Sequence, residues 1–357
     1  MATQKSAELD FLEQFEDFVN ATRKGKRTKQ NGTKLLQGSV KKLEVTYKTL
    51  KDFSELKRFP LKISALKKAN KRETQSQKAY WNRFHQKFSD YLYNDLDCYD
   101  NYTGSVMKDI RVFFNYLITE KNLSIGNYHK KFYVCKEDIE IVTLQPEQLN
   151  YLIYDKAFEN ALPSKLLQVK DIFVVGCTVA LRYSDLINLK RSNLESCNGS
   201  WYLKVQSKKT KTYTRIKLPE YVVNIFSKYK KNGQRLLPYF NLFRLNIYLK
   251  QLVEQAGWTD ERIKTRQKKG VAVVVFKNKK NKEHYRFFDH ISSHTMRRTA
   301  ITTMLRLQMP EHLVRKISGH APNSKAFHRY VAISQNYLDA ETDKIFEKLN
   351  SFSAKND

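Results

Sequence analysis

Leu166, Leu167, Ile172, Phe173, Val174 and Val175 stand within one helix expected over residues 163–190. A helix this apolar has no face to offer water, so other elements must be built around it. The second half of the chain therefore has a core in which this helix is buried. Arg182, in the run TVALRYSDL near the end of that helix, is a charge held against a core. Asp185 follows three residues later, within side-chain reach on a helix. A carboxylate that fixes an arginine's direction suits a phosphate clamp, because a preorganised guanidinium offers two parallel N–H donors.

The first half carries four further helical patterns. They are Phe11, Leu12, Phe15, Phe18, Val19; then Val40, Leu43, Tyr47, Leu50, Phe53; then Trp81, Phe84, Phe88, Tyr91, Leu92; then Val106, Ile110, Phe113, Phe114, Leu117. Thr103 or Ser105 is the expected cap of the fourth helix. With the basic stretches 23–34 and 65–73 they make a helical domain over residues 1–126. Residues 127–145 lose the pattern and include a short β-like IEIVTL, as expected of a linker. Residues 146–357 form the second domain. In it, 201–220 reads as a hairpin around SKKTKT, and 220–231 and 240–256 read as helices. VAVVVF and HYRFF, across a seven-residue basic turn, suggest a second hairpin within 261–288. Leu338, Ile345, Phe346 and Leu349 give a short amphipathic helix at the end. The fold class is mainly α, with a small β-sheet or hairpin in the second domain.

Charge names the partner. Lys and Arg number 65 against 36 acidic residues, a formal net charge of +29 in 357 residues. That excess points to a polyanion, with nucleic acid ahead of an anionic membrane. No apolar run approaches the roughly 18 residues of a membrane span, and MATQKSAELDF lacks a signal peptide's apolar core. A cytoplasmic, nucleoid-associated protein is expected. Cys98, Cys135, Cys177 and Cys197 form no C-x-x-C pair and read as reduced thiols. Nothing matches a phosphate-binding loop, a calcium loop or a zinc spacing, so neither cofactor nor metal is expected.

The chemistry concentrates between His294 and Tyr330. His294 and Arg297 are three apart and share a helix face, with Ser292 or Ser293 as cap. Met296, Ala300, Ile301, Met304 and Leu305 supply the core-facing stripe. A second short helix runs from Pro310 to Gly319 and delivers His320 from its end; Tyr330 comes ten residues later. Arg298 falls about 100° round the helix from Arg297 and reads as structural or a backbone contact.

Arg182, the pair His294-x-x-Arg297, Gly319-His320 and Tyr330, in this order and spacing, resemble the tyrosine recombinases, or phage-type integrases. The nearest flavour is the group typical of Bacteroidetes mobile elements. The resemblance implies a two-domain, C-shaped clamp on double-stranded DNA, with a core-binding domain and a catalytic domain. It implies Arg182 and Arg297 on the phosphate, His294 and His320 donating hydrogen bonds or moving protons, and Tyr330 as nucleophile. It also implies a catalytic lysine on the first hairpin. Lys209, followed by Thr210 and nine residues before Leu218, fits that place, with Lys208 and Lys211 as neighbours. The product would be a 3′-phosphotyrosyl link, made without metal or ATP, as in integration or excision of a mobile element such as a transposon or phage. The C-terminal helix would dock on a neighbour in a homo-tetramer, and an accessory excision factor is possible. Where the family has glycine two residues before the first arginine, this chain has Ala180. Two other readings share the site: a type IB-like topoisomerase, and a silent DNA-binding regulator.

Overall fold

The computed structural model describes residues 8–28, 32–64, 70–133, 135–207, 212–231, 233–332, 334, 339 and 342–347. It is mainly helical with small antiparallel sheets, and it divides into two compact units, each considered separately.

The first unit comprises the chain up to Ile139 together with Thr265–Val275. Its helices are α1 (Phe11–Arg23), α2 (Gln37–Leu56), α3 (Lys71–Asp90) and α4 (Asp100–Thr119). Their apolar stripes meet in an aromatic core of Phe11, Phe15, Phe18, Phe53, Trp81, Phe84, Phe88, Phe113 and Phe114, all buried. Rings meet edge-on as well as stacked, as with Phe11 on Phe113 at 5.0 Å. A short pair, β1 (Glu8–Asp10) and β2 (Lys62–Ser64), ties the start of α1 to the chain after α2. Asn70 and Glu73 close a capping box on α3.

Three expectations change in and next to this unit. The fourth helix begins at Asp100 and takes no cap from Thr103 or Ser105. The buried Asp100 carboxylate instead accepts hydrogen bonds from Lys269 N at 2.8 Å, Gly270 N at 2.9 Å and the Tyr93 hydroxyl at 2.7 Å. Residues 135–145 form no strand, so IEIVTL is not a β element. Lastly, Val271–Val275 pairs with Lys264–Lys268 upstream of it and not with the HYRFF run. Lys269 and Gly270 both adopt positive φ, 53° and 78°. That is the two-residue turn whose twist suits a hairpin, and it decides the partner locally. Buried Glu137 holds this hairpin, accepting from Arg266 Nε at 2.9 Å and from Gln267 N at 2.6 Å.

The second unit comprises Glu140–Lys264 and Phe276–Asp357. Its helices are α5 (Pro146–Tyr154), α6 (Lys156–Ala161), α7 (Ser164–Val179), α8 (Tyr183–Leu186), α9 (Glu220–Lys228), α10 (Leu242–Gln255), α11 (Ser293–Arg306), α12 (Glu311–Ser318) and α13 (Lys325–Ala332). The apolar α7 is buried, as its sequence demanded, and lies against α5, α10 and α11. A three-stranded antiparallel sheet, β3 (Leu194–Cys197), β4 (Ser200–Gln206) and β5 (Tyr213–Lys217), turns Leu203, Val205 and Ile216 into the core. On another side of α7, Lys170 and Asp171 form a network with Glu159, Lys228 and Tyr229. Of the terminal helix, Leu338 and Leu349 lie outside the described residues; Ile345 and Phe346 are exposed.

Candidate active site

The site starts where α7 stops. The helix expected to reach residue 190 ends at Val179, because Ala180 takes the left-handed conformation, φ 54° and ψ 18°. This is the position where glycine would be at ease; a residue with a Cβ is strained there by about 1–2 kcal/mol. The reversal turns the Ala180 carbonyl out of the helix, where it accepts a hydrogen bond from Arg297 Nη1 at 2.7 Å. Arg182 then caps α8, its carbonyl taking the Asp185 and Leu186 amides at 2.9 Å. Its guanidinium Nη1 donates to Ser207 Oγ, 3.1 Å away, at the end of β4. Ser207 N in turn donates to Thr212 O at 2.9 Å and closes the hairpin loop. Lys208, Lys209 and Lys211 belong to that loop and lie outside the described residues.

Arg297 and His294 sit one turn apart on α11 but in different surroundings. His294 is exposed, whereas Arg297 is 3% exposed. The α11 start is fixed by Ser292 N donating to Thr295 Oγ1 at 3.0 Å and Ser293 N donating to Asn246 Oδ1 at 2.8 Å. Arg297 Nη2 lies against the His320 ring, 3.2 Å from Nε2 and 3.3 Å from Nδ1. Burial, and then the charge of Arg182, push the Arg297 guanidinium down to about 10, opposed by Tyr330 and the buried Asp185. It remains a cation at neutral pH.

His320 follows Gly319, whose φ of 64° caps α12. A Cβ on that glycine would stand 3.0 Å from Thr212 Oγ1, so the hairpin also needs it bare. Burial, then Arg297, Arg182, Arg315 and His294 in that order, lower the His320 imidazole to about 3. Of the two roles expected for His320, hydrogen bonding and proton movement, these surroundings favour the first. His320 is a neutral hydrogen-bonding group.

Tyr330, on α13, is 5% exposed, its ring centroid 6.0 Å from that of His320 and 6.2 Å from that of Phe327. Arg298 corrects a second expectation. It hydrogen-bonds the Tyr330 phenol, and burial lowers its own pKa. Helical phase alone placed Arg298 off the site, but α13 packs over the shoulder of α11 and meets it there. His328 is exposed, and Tyr337 lies outside the described residues. Ser207 and Ser318, both buried, were also missed. Serines carry no chemical signal of their own, although Ser318 stands two residues before His320 at a helix end, where a left-handed turn brings i and i+2 together.

Among described residues the site thus gathers Arg182, Arg297, Arg298, His320 and Tyr330, with the exposed His294 beside them. Residues 144–336 match the model of the phage integrase family. No curated protein matches the chain in sequence. In structure it resembles the XerH site-specific recombinase bound to palindromic difH substrate in a post-cleavage complex, with TM-score 0.59 and 13% identity over 94% of this chain and 85% of that one. The Tn1549 transposon integrase in complex with transposon right end DNA gives TM-score 0.57 and 14% identity, covering 94% and 99%. A lambda integrase dimer bound to a COC' core site gives TM-score 0.55 and 12% identity, covering 90% and 77%. At these identities the likeness is one of fold.

Proposed function

Because the chain belongs to the phage integrase family, we propose that it is a site-specific DNA recombinase that cuts and rejoins double-stranded DNA through Tyr330. The observation that carries this reading is the state of Arg297. It keeps its cation while 3% exposed, beside Arg182, and its own hydrogen bonds end on a carbonyl and an imidazole. Neither partner brings negative charge. A phosphodiester entering here supplies it, and its non-bridging oxygens gather further charge as the bond breaks.

In the proposed reaction the Tyr330 oxygen attacks phosphorus and gives its proton to His294. The bond to the 5′-oxygen breaks, and Lys209 gives that leaving oxygen a proton, making it a 5′-hydroxyl. Arg182, Arg297 and neutral His320 hydrogen-bond the non-bridging oxygens. The resulting 3′-phosphotyrosyl ester conserves the bond, so a second 5′-hydroxyl reverses the step on another duplex. The physiological act on this reading is integration or excision of a mobile element by a homo-tetramer, with the exposed Ile345 and Phe346 on the C-terminal helix seated against a neighbouring copy.

The test begins with a binding site enriched from randomised duplexes. A nicked version of that site, which loses a short fragment on cleavage, is incubated in EDTA with wild type and with Tyr330→Phe. An SDS-resistant adduct with wild type alone is expected. An adduct that persists in Tyr330→Phe moves the nucleophile elsewhere. Specific binding with no adduct identifies a silent regulator.

A further inference from the structure

Tyr330 is delivered by a short connection. Gly319 reverses the chain at the end of α12, His320 follows, and α13 begins at Lys325. A helix of eight residues does not keep a fixed place by its own hydrogen bonds, so α13 depends on what it touches. Its buried residues are Phe327 and Tyr330. Arg298 of α11 meets the Tyr330 phenol at one end. At the other end stands Arg315, a residue of α12 whose side chain is only 13% exposed.

Arg315 touches every part of this connection. Its Nε donates to Glu311 Oε1 at 2.9 Å and its Nη2 donates to the same oxygen, so a carboxylate one turn back on α12 fixes its direction. Its Nη1 donates to the carbonyls of Ala321, at 3.3 Å, and Pro322, in the turn after His320. Its guanidinium carbon lies 4.3 Å from the centre of the Phe327 ring. That ring in turn meets the rings of His320 and Tyr330, with centroids 5.3 Å and 6.2 Å away. A planar cation with donors on three nitrogens serves a carboxylate, two carbonyls and an aromatic face at once. A lysine ammonium is a point charge on a flexible stem and does not. We propose that Arg315 is a positioning residue for the nucleophile, tying α12 to the turn at 321–322 and to Phe327 so that α13 holds Tyr330 beside His320. It acts through these groups and not on the phosphate. Its effect on cleavage rests on the recombinase reading above; its hold on α13 does not.

The test uses the full chain and Arg315→Lys, which keeps the charge near His320 but loses the planar fork. In the DNA-free protein, hydrogen exchange of the α13 amides is expected to be about tenfold faster in Arg315→Lys than in wild type, with α11 unchanged, because α13 opens locally once its hold is lost. On the nicked duplex at saturating protein, adduct is expected to form about tenfold more slowly at unchanged DNA affinity, the cost of a nucleophile held out of line. The slowing persists when sulfur replaces the leaving 5′-oxygen, since a thiolate departs without a proton and the defect lies in the attack. Glu311→Gln leaves Arg315 on the carbonyls and the ring, and is expected to move both readouts the same way by a smaller factor. Exchange of α13 equal to wild type in Arg315→Lys overturns the proposal. So does a full adduct rate, or a slowing that sulfur abolishes. A wild type that binds the site and forms no adduct sinks the recombinase reading alone, because the exchange of α13 is still read in the free protein.

Discussion

The second unit holds two clusters of cations, each around one buried member, Lys170 or Arg297, and they are built in opposite ways. Around α7, Lys170 and Lys228 are matched by Glu159 and Asp171. Burial pushes the Glu159 carboxyl up, but hydrogen bonds from Lys156 and Lys228 and the nearby Lys170 outweigh it and hold it down at about 2. That cluster is complete. In the pocket Arg182, Arg297 and Arg298 converge with Asp185 as the buried carboxylate, and Arg297 is forced down to about 10 by burial and by Arg182. Internal pairing marks a structural network; an excess of buried positive charge marks a place waiting for an anion.

The sharpest way to break this contrast is Arg297→Met. If the pocket serves an external phosphate, the adduct-forming rate falls about 10²–10³-fold, the usual loss for one preorganised donor. The matching change in the other cluster, Glu159→Gln, leaves Lys170 and Lys228 short of a partner and is expected to destabilise the protein by about 3 kcal/mol in urea unfolding. Cleavage per folded molecule stays near wild type. The same Arg297→Met protein is expected to be about 1 kcal/mol more stable than wild type without DNA, since it relieves a desolvated cation's repulsion from Arg182, which Asp185 offsets only in part. A destabilised Arg297→Met would mean that the two clusters are alike after all.

Smaller effects sharpen the picture. The folded chain keeps the His320 imidazole at about 3, below its ordinary 6.5. As pH falls the unfolded chain binds that proton first, so the stability His320 contributes is complete above 6.5 and is lost on descending toward 3. His320→Gln should therefore flatten the acid side of a stability-against-pH curve within that window. Ala180→Gly should stabilise by about 1 kcal/mol, because glycine accepts the left-handed turn without strain. Loss of stability there would show that the buried methyl outweighs the relief.

Much of this was legible beforehand because it depends on local order. Apolar residues at helical spacing announced α1 to α4, and Gly319 before His320 announced a helix end with a residue delivered from it. The same spacing carried the resemblance to tyrosine recombinases through Arg182, Arg297, His320 and Tyr330. The hairpin of Val271–Val275 was misjudged because the polar run Lys264–Lys268 carries no strand pattern of its own, and the Lys269-Gly270 backbone turn selects it as the partner.

Sequence by itself determined the buried helix, the four-helix first half, the excess of positive charge and the chain order of the candidate site residues. All follow from residue type at short separation. The tertiary structure alone decided which charges are compensated, that His320 is neutral, and that Arg298 reaches the phenol. It also decided that Ser318 sits behind the imidazole. Those properties depend on burial and on distances between α7, α11, α12 and α13, which segments far apart in the chain set only when they pack.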